Sequence, residues 1–141
     1  MKTIARSAIV EHSAAEMYAL VEDIEAYPRF LPWCTAAEVH GRTPGGTRAT
    51  LTIGAGGLTQ SVTTRNENRP GEAIDMHLAK GPFRRFEAQW RFVPLSPGAC
   101  RIEFTLQYEF SRRALGRLLG PLFDGIADSM VETFVRRAGQ T

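Results

Sequence analysis

Three histidines, His12, His40 and His77, are the first candidates for metal or acid–base chemistry, and their spacing argues against both. They fall in separate elements, and none has a second histidine, cysteine or carboxylate at metal-ligand spacing. Surface or sheet-edge positions are expected for all three. Cys34, beside Trp33, could be a nucleophile, but a reactive thiol needs an electropositive neighbour, so a buried, inert thiol is expected. The run Gly54-Ala55-Gly56-Gly57 lies between two strand-like segments rather than between a strand and a helix. It therefore reads as a hairpin turn and not as a phosphate loop. No catalytic residue and no metal ligand is assigned, and no cofactor is required.

Arginines gather in three places: Arg84-Arg85, then Arg112, Arg113 and Arg117, then Arg136-Arg137. Such clusters either solubilise a surface or meet phosphates of RNA or lipid headgroups. No aromatic residues interleave with them, so the nucleic-acid signal is weak and DNA is not an expected partner. The net charge of +2 is too small to add to it. Asp124, Asp128 and Glu132 are expected on a solvated helix face, with pairing to nearby arginines as the alternative.

The elements that must position these groups follow from periodicity. Thr3 to Val10 reads as a strand. Ser13 with Glu16 three residues on forms a capping-box pattern, and Met17, Leu20, Val21 and Ile24 follow at helical spacing. That helix should end before Tyr27-Pro28, because a residue preceding proline avoids helical dihedrals. The segment Tyr27 to Cys34, with Pro28 and Pro32 bracketing large apolar residues, reads as a buried apolar plug between two elements and not as an ordinary helix or strand. From about residue 35 to residue 110 the chain alternates apolar and polar, most clearly at Ile102, Phe104, Leu106, Tyr108 and Phe110. Turns are expected at Pro44 to Gly46, Gly54 to Gly57, Arg69 to Gly71, Lys80 to Pro82 and Pro94 to Gly98. Six strands after the plug make about seven in all. Arg112 to Ala138 reads as a long helix with Leu115, Leu118, Leu119, Leu122, Ile126, Met130 and Phe134 on one stripe, broken or kinked by Pro121 near Gly120.

An α+β fold follows: one domain over residues 1–141, a curved antiparallel sheet wrapped around the long C-terminal helix, with a short helical insert after the first strand. Large apolar residues from sheet and helix either fill the space between them or enclose a cavity, and periodicity leaves both open. Cys34 and Cys100 share no motif spacing and no apolar signal segment begins the chain, so reduced thiols in the cytoplasm are expected, with one disulfide as the alternative. No apolar run approaches the ~20 residues of a spanning helix, so any membrane contact would be peripheral, at the inner membrane face.

The stretch from Val21 to Cys34, with Tyr27-Pro28-Arg29-Phe30-Leu31-Pro32-Trp33-Cys34 at its centre, closely resembles the signature of the coenzyme Q-binding and ribosome-association-toxin family. That family is a branch of the START-like, polyketide cyclase/dehydrase superfamily. Lys80-Gly81-Pro82-Phe83 followed by Trp90-Arg91-Phe92, and the ending Met130 to Ala138, resemble it in the right order, so the likeness runs along essentially the whole chain. Arg84-Arg85 and Pro121 depart from it. The resemblance implies the helix-grip fold with a pocket between sheet and long helix. It also implies a ubiquinone or other polyprenyl or lipid ligand, held for respiratory quinone function by a chaperone or carrier. Residues expected to line the pocket are Phe30, Leu31, Trp33, Phe83, Trp90, Phe104, Leu106, Leu119, Phe123, Met130 and Phe134, with the indole N–H of Trp33 and Trp90 available to a quinone carbonyl. Bacterial members of the family imply an alternative: a toxin that binds the large ribosomal subunit and inhibits translation initiation, with Arg112, Arg113 and Arg117 as contacts. A polyketide cyclase or dehydratase would instead need Glu103, Asp75 or His77 inside the pocket.

Overall fold

The structure is a computed structural model, and it describes residues 1–55 and 57–140. The chain runs β1 (Lys2–Val10), α1 (Ala14–Glu22), a short 3-10 helix (Ile24–Arg29), β2 (Cys34–Thr43), β3 (Gly46–Ala55), β4 (Leu58–Arg69), β5 (Ala73–Lys80), β6 (Phe83–Ser96), β7 (Ala99–Phe110) and α2 (Arg113–Ala138). Among the described residues these strands form one seven-stranded sheet in the order β1-β7-β6-β5-β4-β3-β2, antiparallel throughout. Consecutive strands from β2 to β7 are joined as hairpins. Only β1 joins from a distance, with Lys2 opposite Tyr108 and Val10 opposite Cys100. The helix-grip α+β architecture expected from periodicity is what the chain adopts.

Ser13 caps α1 as its spacing foretold: its hydroxyl accepts the Glu16 amide at 3.1 Å, and the Glu16 carboxylate accepts the Ser13 amide at 3.3 Å. The helix ends at Glu22, earlier than Ile24 suggested. The plug begins in a 3-10 helix, Ile24–Arg29, that contains Pro28. The Pro28 ring is exposed there while Ile24, Ala26 and Tyr27 turn inward, so the tighter winding accommodates the proline without burying it. Two further expectations are corrected. β6 continues through Pro94 to Ser96, with a register shift between them that accommodates the missing donor, so the turn is confined to Pro97 and Gly98. The expected turn at Gly54 to Gly57 includes Gly56, which lies outside the described residues; β3 ends at Ala55 and β4 begins at Leu58.

Helix α2 is continuous through Pro121, where a break or a kink was expected, so the helix is not broken there. The turn that loses a hydrogen bond there carries exposed Arg117, Leu118 and Pro121, so water can satisfy the freed carbonyl. Leu118 is 57% exposed and leaves the apolar stripe, whereas Leu119, Phe123, Ile126, Ala127, Val131, Phe134 and Ala138 are buried against the sheet. The acidic residues of α2 are not on a merely solvated face. Asp124 pairs with Lys2 at 2.6 Å and accepts the Tyr108 hydroxyl, and Asp128 pairs with Arg6, so both latch the helix to β1; Glu132 pairs along the helix with Arg136 at 3.3 Å.

The core centres on Phe134, which is 0% exposed. Its ring lies edge-on to Tyr27, Phe30 and Trp90 with centroids 5.4, 5.4 and 5.5 Å away. One side chain thus joins α2, the 3-10 segment and β6. Truncation, Phe134→Ala, is expected to cost about 3–5 kcal/mol in urea-induced unfolding, because all three neighbours lose their packing partner at once. A loss under ~1 kcal/mol would show that the junction is not where the fold is held.

Candidate functional site

The inner faces of the central strands follow the period of two. From β6 come Phe86, Ala88 and Trp90; from β7, Phe104 and Leu106; from β4, Val62 and Thr64; from β3, Leu51 and Ile53; from β5, Met76. Helix α2 presents Phe123, Ile126, Ala127 and Met130 to the same face. Ala88 and Ala127 occupy positions where the flanking residues are large, and both are buried. Where those small side chains fall, sheet and helix do not meet. The result is a small apolar cavity of about 70 Å³. Trp33, Leu51, Met76 and Met130 on its wall remain only half-buried, so apolar surface is left uncovered.

The expected lining residues divide. Trp33, Trp90, Phe104, Leu106, Phe123 and Met130 border the cavity. Phe83 and Leu119 border a smaller neighbouring space with Pro82, Phe110 and Leu122, which Phe123 separates from the main one. Phe30, Leu31 and Phe134 border neither. Phe134 and Leu31 are packed solid, and Phe30 stacks beneath the Arg137 guanidinium, 5.0 Å from its ring centre. Sequence reasoning missed Tyr27, Ala88, Ala127 and the inward face of β4. The alanines carried no signal because a cavity is made by what is small, and Thr64 with the asparagines after it was masked by the search for apolar alternation.

Tyr27 is the titratable side chain on the cavity wall, and its chemistry is spent. Its hydroxyl donates to the Val21 carbonyl, and burial drives its pKa far above the ordinary phenol value. Asp75 pairs outward with Arg91 at 2.6 Å, His77 lies 3.5 Å from Glu67, and Glu103 pairs with Arg101 at 3.4 Å; none borders the cavity. Both cysteines are free and buried, with their thiol pKa values raised by desolvation. His12 meets Glu16 and His40 meets Thr50 at the surface, and among the described residues no group of side chains could hold a metal ion. Arg112, Arg113 and Arg117 are exposed, and among the described residues no carboxylate pairs with them. No described helix is long and apolar enough to cross a membrane.

A second, smaller chamber of about 20 Å³ opens beside the cavity, sharing Tyr27, Leu51, Thr64, Met76 and Trp90 with it. Its outer wall is held by Arg42, which donates to Glu22 at 2.9 Å and to both oxygens of Glu25 at 2.6 and 2.7 Å. This clamp ties β2 to α1 and the 3-10 segment.

Residues 10–135 match the family described as "Polyketide cyclase / dehydrase and lipid transport". The chain belongs to that family, in its coenzyme Q-binding and ribosome-association-toxin branch. It is 41% identical to the ribosome association toxin RatA of Escherichia coli K12 over 98% of this chain and 87% of that one. It is 30% identical to the mitochondrial coenzyme Q-binding protein COQ10 homolog B of Xenopus laevis, over 95% of this chain and 57% of that one. A START superfamily protein from Mycobacterium smegmatis shares the fold, with a TM-score of 0.79 at 23% identity over 98% of this chain and 97% of that one.

The Arg42 clamp makes a pH prediction. Its hydrogen bonds hold the Glu25 carboxyl at about 2, below the ordinary 4.5. A carboxylate depressed in the folded state adds stability above the unfolded value and loses it as pH falls through the folded one. Stability should therefore decline between about pH 4.5 and pH 2, and Arg42→Ala should flatten that slope. Titration of Glu25 by NMR checks it directly: in Arg42→Ala its midpoint should return toward 4.5.

Proposed function

We propose that this domain is a binding protein, holding ubiquinone or a related polyprenyl lipid between sheet and α2 and serving respiratory quinone function as a cytoplasmic chaperone or carrier. The observation that carries this reading is the cavity itself: a partly open, apolar space made by Ala88 and Ala127 in an otherwise close-packed interior. Each Å² of apolar ligand surface moved into it contributes ~25 cal/mol. The wall offers no free acid or base, which supports binding over the cyclase or dehydrase chemistry named in the family description. The coenzyme Q-binding relative supports the ligand class.

Protein purified from a quinone-containing host, extracted with organic solvent and examined by mass spectrometry, should yield a quinone or other polyprenyl lipid near one per chain. Ala127→Leu, which fills the gap with little else to displace, should leave the fold intact and reduce the extracted ligand at least about tenfold. Unchanged ligand content in that variant would place the binding site elsewhere.

A second reading has its own observation. Arg112, Arg113 and Arg117 stand at the N-terminus of α2, where cations oppose the helix dipole and, among the described residues, no carboxylate pairs with them. Exposed arginines in such a place suit phosphate contacts, and the 41%-identical relative is named a ribosome association toxin. Association with the large ribosomal subunit through this end of α2 follows. Co-sedimentation with large subunits should fall steeply with salt and be abolished by Arg112→Glu, Arg113→Glu and Arg117→Glu together; binding that survives the reversal would exclude this surface.

A further inference from the structure

Three connections meet at one end of the sheet. β3 passes to β4 there beyond the Gly54–Thr59 pair, β5 passes to β6 between Lys80 and Phe83, and β7 passes to α2 after Phe110. Phe83 pairs with Phe110, and the Ser111 amide donates to the Pro82 carbonyl at 2.9 Å, so the β5–β6 turn touches the start of α2. Leu119 and Leu122, in the first half of α2, share a lining with Ile53 and Gln60, which flank the β3–β4 turn. The two turns and the beginning of α2 therefore form one continuous surface.

Its charge is lopsided. Lys80, Arg84, Arg85, Arg112, Arg113 and Arg117 are all exposed here. The carboxylate beside them is Glu109, which lies 3.6 Å from Arg84 and 3.6 Å from the Met1 amino group. The whole chain carries a net charge of only +2, so the rest of it is net acidic. Such a separation of charge turns a molecule in the field of a polyanion and brings its basic end forward. Apolar side chains stand among these cations: Leu118 is 57% exposed, Leu58 is 37% exposed, and Pro121 is exposed as well. A single exposed leucine is ordinary, but these share one surface with the arginines. A nucleic acid would gain little from them. Aliphatic side chains are not stacking platforms, and every aromatic ring among the described residues is buried or half-buried. A bilayer offers both partners, phosphates for the arginines and an acyl boundary for the leucines.

We propose that this end of the domain docks on an anionic lipid bilayer, its arginines among the head groups and Leu58, Leu118 and Pro121 at the acyl boundary. The docking does not depend on what the cavity holds. It uses the same Arg112, Arg113 and Arg117 as the ribosomal reading, and the leucines separate the two.

The test is co-sedimentation of the full chain with vesicles of phosphatidylcholine alone and of phosphatidylcholine mixed with phosphatidylglycerol. The chain should pellet with the mixed vesicles, stay in solution with the neutral ones, and bind less as salt screens the head groups. Arg112→Glu, Arg113→Glu and Arg117→Glu together should lower partitioning at least about a hundredfold, at roughly fivefold for each basic residue near such a surface. Leu58→Ser with Leu118→Ser keeps every charge and exchanges only exposed side chains, so circular dichroism should show the fold intact while partitioning falls at least about tenfold. No pelleting with the mixed vesicles at low salt would overturn the proposal. So would vesicle binding indifferent to the two leucines, which would make the arginines a general phosphate-binding surface. Large-subunit co-sedimentation through the same arginines, with no vesicle binding, would likewise overturn it and assign this end to the ribosome.

Discussion

A curved antiparallel sheet has one face that must be kept from water, and in this chain α2 is the element long enough to cover it. Everything else adjusts to that requirement. The 3-10 segment brings Tyr27 against Phe134, which in turn meets Trp90, closing one end of the interface with edge-on aromatic contacts. At the sheet edge, β1 reaches β7 from the far end of the sequence, and Lys2 and Arg6 grip Asp124 and Asp128 on the helix. These exposed pairs add little stability individually, but they fix where along β1 the helix lies. The position of α2 decides in turn how much of the sheet is touched and how much is left open.

The cavity is a consequence of steric mismatch within that interface. Phe86 and Trp90 flank Ala88 on β6, and Phe123, Ile126 and Met130 surround Ala127 on α2. Large side chains hold the two layers apart while the small ones between them fail to fill the gap. An interior at ordinary packing density would not leave such a space without cost. Contacts between the layers at Phe134 and Phe123 offset that cost, which is why the cavity sits between two well-packed clusters rather than at an edge.

Much of this architecture is legible in the amino-acid sequence. Alternation in Ile102 to Phe110, the Ser13–Glu16 cap and the apolar stripe of α2 each demand one local geometry, and the chain adopts each of them. Pro121 does not break the helix because a proline's cost depends on whether the freed carbonyl can reach water, which is a tertiary fact. The site is legible only in part for a related reason. Aromatic residues in the pattern identify the walls at Trp90 and Phe104, but Phe30, Leu31 and Phe134 are equally large and apolar and simply pack. Whether a large apolar side chain borders a void depends on its neighbours across the layer, and no period along one strand reports that.

The two asparagines on β4 show how a local rule broken inside a fold can be informative. Thr47, Glu22 and Arg42 form an ordered chain that already ties β3 to α1 and β2, and Asn68 extends it by one donor. For that structural purpose a side chain with only a donor would suffice, yet Asn68 also buries an oxygen without a hydrogen-bond partner among the described residues, and Asn66 buries a second two residues earlier. Apolar residues of similar size would remove the desolvation penalty of both oxygens. Local rules are most often broken where function requires it. Here the penalty falls on the same strand whose other inward residues form the apolar wall.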